Sequence, residues 1–105
     1  MIPNRKGTLK FATNNQSQTF ALPPGGGSLL WLFNDGAAGT HIHAEVGDSN
    51  ITVQEPTANI GGGFLVHPTA NSIHAEITLR PEDTHIAVMT ESGSADVYVT
   101  RGKIL

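Results

Sequence analysis

Apolar and polar residues alternate along short runs of this chain, and each run stops at turn-forming residues. From Thr40 to Val46, Thr40, Ile42, Ala44 and Val46 fall on one face and His41, His43 and Glu45 on the other. From Ile73 to Leu79, Ile73, Ala75, Ile77 and Leu79 alternate with His74, Glu76 and Thr78. Successive side chains of a strand point to opposite faces, so this period predicts half-buried strands. Ala95, Val97 and Val99 oppose Asp96, Tyr98 and Thr100, which predicts the second arm of a closing hairpin whose first arm is Thr84 to Thr90 and whose turn holds Gly93. Thr8 to Ala12, Thr19 to Leu22, Ile51 to Val53 and Phe64 to Val66 add shorter candidates. Leu29 to Phe33 is apolar at every position, which predicts a central strand buried on both faces.

Turn chemistry separates these runs. Pro23-Pro24-Gly25-Gly26-Gly27 ends one strand because proline lacks the ladder donor and glycine favours turns. Asn34-Asp35-Gly36 ends the apolar run, and Arg80-Pro81-Glu82-Asp83 leads into the hairpin. No helical period occurs. About eight short strands at this spacing predict an all-β, single-domain β-sandwich of jelly-roll type spanning residues 1–105. The expected core is Leu29, Trp31, Phe33, Ile42, Val46, Ile73, Ile77, Val88, Val97 and Val99. If the Trp31 ring is buried, Trp31→Ala should cost about 3–5 kcal/mol.

Charge and composition narrow the classes of function. Charged residues are only 14% of the 105, and the formal net charge is −3. The six basic residues are scattered along the sequence, so nucleic acid is not an expected partner. The longest apolar run, Leu29 to Phe33, is too short to cross a bilayer, and Met1 to Lys6 lacks the apolar stretch of a signal peptide. The chain contains no cysteine, so neither disulfides nor thiolate metal sites contribute. Met1 to Lys6 and Arg101 to Leu105 join basic to apolar residues. They read as short terminal arms, loose in the free protein, with Ile2, Arg101, Lys103, Ile104 and Leu105 as candidate partner contacts. Tyr98, turned away from Val97 and Val99, is a further contact candidate.

Candidate chemistry is confined to the histidine strands. His41, His43 and Glu45 share one strand face, and two imidazoles with a carboxylate are a plausible metal set. This invites comparison with the cupins, whose motif combines His-x-His, a glutamate three or four residues later and a histidine on another strand. Glu45 follows His43 too closely for that pattern, although His67-Pro68-Thr69-Ala70-Asn71 matches part of the second cupin motif. No cofactor and no catalytic metal are therefore expected, with His41, His43 and Glu45 as the only weak metal candidates. Ile42-His43-Ala44-Glu45 recurs as Ile73-His74-Ala75-Glu76, which reads as two strands in similar environments. The serines lack a nucleophile elbow, and neither triple glycine, at 25–27 or 61–63, ends in the Gly-Lys-Ser/Thr of a phosphate loop. The chain is not expected to be an enzyme.

From Leu29 onward, the order of pieces resembles a group of small tailed-phage virion proteins. The matching residues are Leu32-Phe33-Asn34-Asp35-Gly36, His43-Ala44-Glu45-Val46-Gly47 and Asp96-Val97-Tyr98-Val99-Thr100-Arg101-Gly102. The resemblance implies a head decoration (cement) protein, assembled into the virion in the host cytoplasm. It would bind the major capsid protein, stabilise the capsid lattice and form a homo-oligomer. Alternatives are another virion component (a head fibre base, a connector or a tail protein) and a small metal-dependent cupin.

Overall fold

A computed structural model describes residues 1–37, 40–67 and 74–104 of the chain. Eight strands follow one another with no helix among the described residues: β1 (Ile2–Thr13), β2 (Gln18–Ala21), β3 (Leu29–Asn34), β4 (Ile42–Gly47), β5 (Phe64–Val66), β6 (Ala75–Thr78), β7 (His85–Thr90) and β8 (Ala95–Lys103). They form two four-stranded sheets, ordered β1-β8-β3-β6 and β2-β7-β4-β5.

The pairings follow one rule. β1 pairs with β8, β2 with β7, β3 with β6 and β4 with β5, all antiparallel. This is a single long hairpin folded over on itself, with β3–β8 and β4–β7 as the seams that close the roll. The chain is therefore a jelly roll, a β-sandwich whose first and last strands are neighbours.

Alternation decides which residues enter the core. Leu30 and Leu32 of β3, Val97 and Val99 of β8 and Ile77 of β6 project inward from the first sheet. They meet Ile42 and Ala44 of β4, Ile86 and Val88 of β7 and Val66 of β5. Phe11 of β1 and Phe20 of β2 stack between the sheets, with ring centroids 4.2 Å apart and planes 8° from parallel. Removing these side chains from water is the main source of stability, at about 1.5–3 kcal/mol for each large residue.

Four expectations are corrected. β3 is not buried on both faces: Leu30 and Leu32 are fully buried, whereas Trp31 and Phe33 are half-buried on the outer side. Leu29 is buried on that same outer face, outside the main core. A run apolar at every position carries no period, so it could not say which face turns inward. Ile51 to Val53 is not a strand. Ile51 and Val53 lie in the connection after β4 and cover Ala87 and Met89 on the outside of the second sheet.

The chain ends are not loose arms either. β1 begins at Ile2 and β8 continues to Lys103, with Ile2 opposite Lys103 and Pro3 opposite Gly102. The fourth correction concerns charge, because strand pairing gathers basic residues that the sequence scatters. Arg5, Lys6, Lys10, Arg101 and Lys103 all lie on β1 and β8. Of the remaining expected core residues, Ile42, Ile77, Val88, Val97 and Val99 are buried, and Val46 packs half-buried against them. Ile73 lies outside the described residues.

Between Pro3 and Thr8 the β1–β8 register shifts, five steps along β1 against two along β8. The extra residues form a bulge in which Lys6 takes a left-handed backbone, with φ 54°. This turns the Asn4 amide to donate 2.6 Å to the Gly26 carbonyl, and it ties the proline–glycine turn to the edge strand.

Candidate functional site

The two outer faces of the sandwich are treated differently. On the second sheet, the connection after β4 is stitched down. The Val53 N–H donates to Ser17 Oγ at 3.0 Å, and Thr19 Oγ1 donates to the Ile51 carbonyl at 2.7 Å. Ile51 and Val53 thereby shield Ala87 and Met89 from water.

On the first sheet's outer face Leu29 is buried at one end, but no comparable connection covers the rest of β3 and β8 among the described residues. Trp31 and Phe33 emerge from β3 two residues apart, and Tyr98 of β8 stands directly opposite Phe33. Thr100 lies opposite Trp31, and Thr8 opposite Thr100, with their hydroxyls 2.8 Å apart. Lys10 flanks Tyr98 on the other side. Trp31 Nε1 donates 3.0 Å to Glu76 Oε1 on the neighbouring strand β6, which fixes the plane of the indole. The His74 ring rests on both aromatics, 4.5 Å from Trp31 and 5.3 Å from Phe33 between centroids.

Apolar rings with a polar tip, held in place and half in water, are the residue types enriched at interface cores. Hydrogen bonding and stacking have already removed much of the rotamer freedom that docking would otherwise cost. This face is the candidate binding surface. Composition and spacing indicate Tyr98 as a contact but assign Trp31 and Phe33 to the core. Their aromatic identity in an otherwise aliphatic run is the signal that distinguishes them.

The histidine strands form a second cluster. His41, just before β4, and His43 within it point outward, since Ile42 and Ala44 occupy the inward positions. Both rings converge on Glu91, just after β7, with His43 Nε2 2.8 Å from Oε1 and His41 Nδ1 3.9 Å from Oε2. The ring of His67 meets that of His41 edge-on at 5.7 Å. Glu45 stays apart from the pair, and its carboxylate accepts the N–H of its own neighbour Val46. The structure thus keeps the two histidines of the expected set together and exchanges Glu45 for Glu91. Glu91 has no local sequence signal, because only the β4–β7 pairing brings it to His43.

Among the described residues no three His, Cys, Asp or Glu side chains are grouped to hold a metal ion. A metal bound inside the roll would need ligands turned inward, and β4 turns Ile42 and Ala44 that way. An open cleft of about 390 Å³ lies between Glu45 and residues 51–54 and 61–63, with Glu45 its one ionisable lining group.

The remaining expected contact residues divide. Ile2 and Ile104 are exposed, at 51% and 65%, and lie with Lys103 at the far end of the β1–β8 ribbon. Arg101 is half-buried and serves the fold: its Nε donates to the Gly27 carbonyl at 3.0 Å and its Nη1 to that of Pro23 at 3.4 Å. Leu105 lies outside the described residues. No protein-family model, curated protein or solved structure matches this chain.

Proposed function

We propose that this protein acts by binding, as a decoration protein of a tailed-phage head. The outer face of its first sheet would dock on the major capsid protein and stabilise the capsid lattice. The observation that carries the reading is the difference between the two outer faces. One is sealed by Ile51 and Val53, while the other presents Tyr98 beside Trp31 and Phe33, the last two held by Glu76 and His74. The jelly roll supports a structural role without assigning it, since the same fold serves capsid proteins and cupins. The outward histidines weigh against the cupin alternative, and the virion-protein signatures at Leu32–Gly36 and Asp96–Gly102 weigh for the capsid. Localisation in the virion follows from the same reading.

Co-sedimentation of the purified protein with capsids assembled from a tailed-phage major capsid protein tests the proposal. Wild-type protein should pellet with the capsids, whereas Trp31→Ala and Tyr98→Ala should stay in solution while folding normally. Binding to a connector or tail component in place of the capsid would move the protein elsewhere in the particle. Binding to no virion component would refute the reading.

A further inference from the structure

The formal charge of −3 conceals a division between the two sides of the molecule. β1 and β8 carry five of the six Lys and Arg residues and one acid, Asp96, hence a formal +4. The rest of the chain holds Arg80 and the other eight acids, hence −7. β1 is one edge of the first sheet, and β6 is the opposite edge. β6 carries Glu76, and the turn after it adds Arg80, Glu82 and Asp83, for a formal −2 at this edge.

We propose that the protein associates with further copies of itself head to tail, the basic β1 edge of one copy against the acidic β6 edge of the next. Strand direction permits it. β1 is antiparallel to β8, β8 to β3 and β3 to β6, so β1 and β6 run in opposite directions. Translating a copy along the sheet therefore places its β1 antiparallel to β6, and the four residues of β6 can extend the ladder along the regular stretch of β1 from Thr8 to Thr13, past the bulge.

The faces match as well. Lys10 lies opposite Tyr98, Tyr98 opposite Phe33, and Trp31 opposite Glu76, so Lys10 and Glu76 project from the same outer face. A copy translated without slip sets Thr8 opposite Glu76 and Lys10 one same-face position further along, so the two opposite charges form a diagonal cross-strand pair within reach of a long side chain. Like charges on both edges would hold copies apart, which is how exposed edges are commonly guarded; opposite charges on the two edges do the reverse. The contact is heterologous, so the sheet's twist directs the copies into a ring or a helical array. The inference does not depend on the capsid reading, because self-association is measured on the purified chain alone.

Sedimentation velocity at low and high ionic strength is the test. Wild-type protein should associate at low salt and dissociate as salt rises. Lys10→Glu and Glu76→Lys should each weaken association about tenfold or more, because each sets like charges across the edge. An equimolar mixture of the two should associate again, since every contact then pairs opposite charges. Thr78→Lys places a cation on the same face of β6 and spares the Glu76–Trp31 bond, so it replaces Glu76→Lys if that variant unfolds. The proposal is overturned if wild-type protein is monomeric at low salt, if association ignores both reversals, or if mixing does not restore it. It is also overturned if a single-stranded oligonucleotide occupies the β1 edge more tightly than a second copy does.

Discussion

Asn34, fully buried at the end of β3, donates its amide to the Val66 carbonyl at 3.0 Å, joining the first sheet to β5 of the second. The same amide donates 2.7 Å to the Thr40 carbonyl, and its Oδ1 accepts the Gly36 N–H at 2.8 Å. One side chain thus caps the Asn34-Asp35-Gly36 turn and ties it to two later segments. Asn34→Ala should cost on the order of 3 kcal/mol, because the buried Val66 carbonyl loses its donor and the turn loses its acceptor. Asn34→Asp should be at least as damaging, since it turns a carboxylate toward two carbonyls. Urea unfolding measures both, and a loss within 0.5 kcal/mol for Asn34→Ala would show that the bonds to Thr40 and Val66 are dispensable.

Trp31→Ala should lower stability by only about 1–2 kcal/mol, well below the loss for a fully buried ring. The indole is half-buried on the outer face and loses one hydrogen bond to Glu76. Leu32→Ala, one residue on but pointing inward and fully buried, should cost about 2–5 kcal/mol. The order of the two losses in urea unfolding reports the orientation of β3 directly. A larger loss for Trp31 would return that ring to the core and withdraw it from the binding face.

How far these features were legible varies along the chain. Where apolar and polar residues alternate, as in β4 and β8, both strand and inward face follow from period 2 alone. Leu29 to Phe33 lacks that period, so the strand could be read but its face could not. Ile51-Thr52-Val53 alternates because one side is buried against Ala87 and Met89, and alternation reports burial whether or not a ladder forms. Two further features depend on contacts remote in sequence. Glu91 reaches His43 through the β4–β7 seam, and the basic ribbon exists because the roll pairs its first strand with its last.

His43 is buried with Nε2 facing Glu91 Oε1, while Nδ1 is buried without a partner among the described residues. A carboxylate oxygen at 2.8 Å can only accept, so Nε2 carries the proton in either charge state of the ring. Nitrogen-15 NMR should therefore show neutral His43 as the Nε2–H tautomer, and the Nδ1–H tautomer would contradict the contact. Glu91→Ala should destabilise the protein by about 1–2 kcal/mol, because it leaves that N–H unpaired beside a buried ring.

Ending the chain at Thr100 should destabilise the protein by several kcal/mol, contrary to the sequence expectation that the tail is a dispensable arm. Gly102 stands between two strands, opposite Pro3 of β1 and Leu29 of β3, so removing it opens the ladder on both sides. The Arg101 side chain leaves with it, taking the donors that hold the Gly27 and Pro23 carbonyls. Gly27 shows how closely that turn approaches β8: its φ is +114°, and a Cβ there would strike the Gly102 carbonyl oxygen. Gly27→Ala should accordingly reproduce part of the truncation's effect, through a backbone conformation that alanine adopts only under strain. Ile104→Ser is the control. That side chain is 65% exposed, so the change should leave the unfolding free energy within about 0.5 kcal/mol of wild type. If the chain ending at Thr100 unfolds at the wild-type urea midpoint, the last turn of β8 contributes nothing to the roll, and the tail is again free to serve as a partner-binding arm.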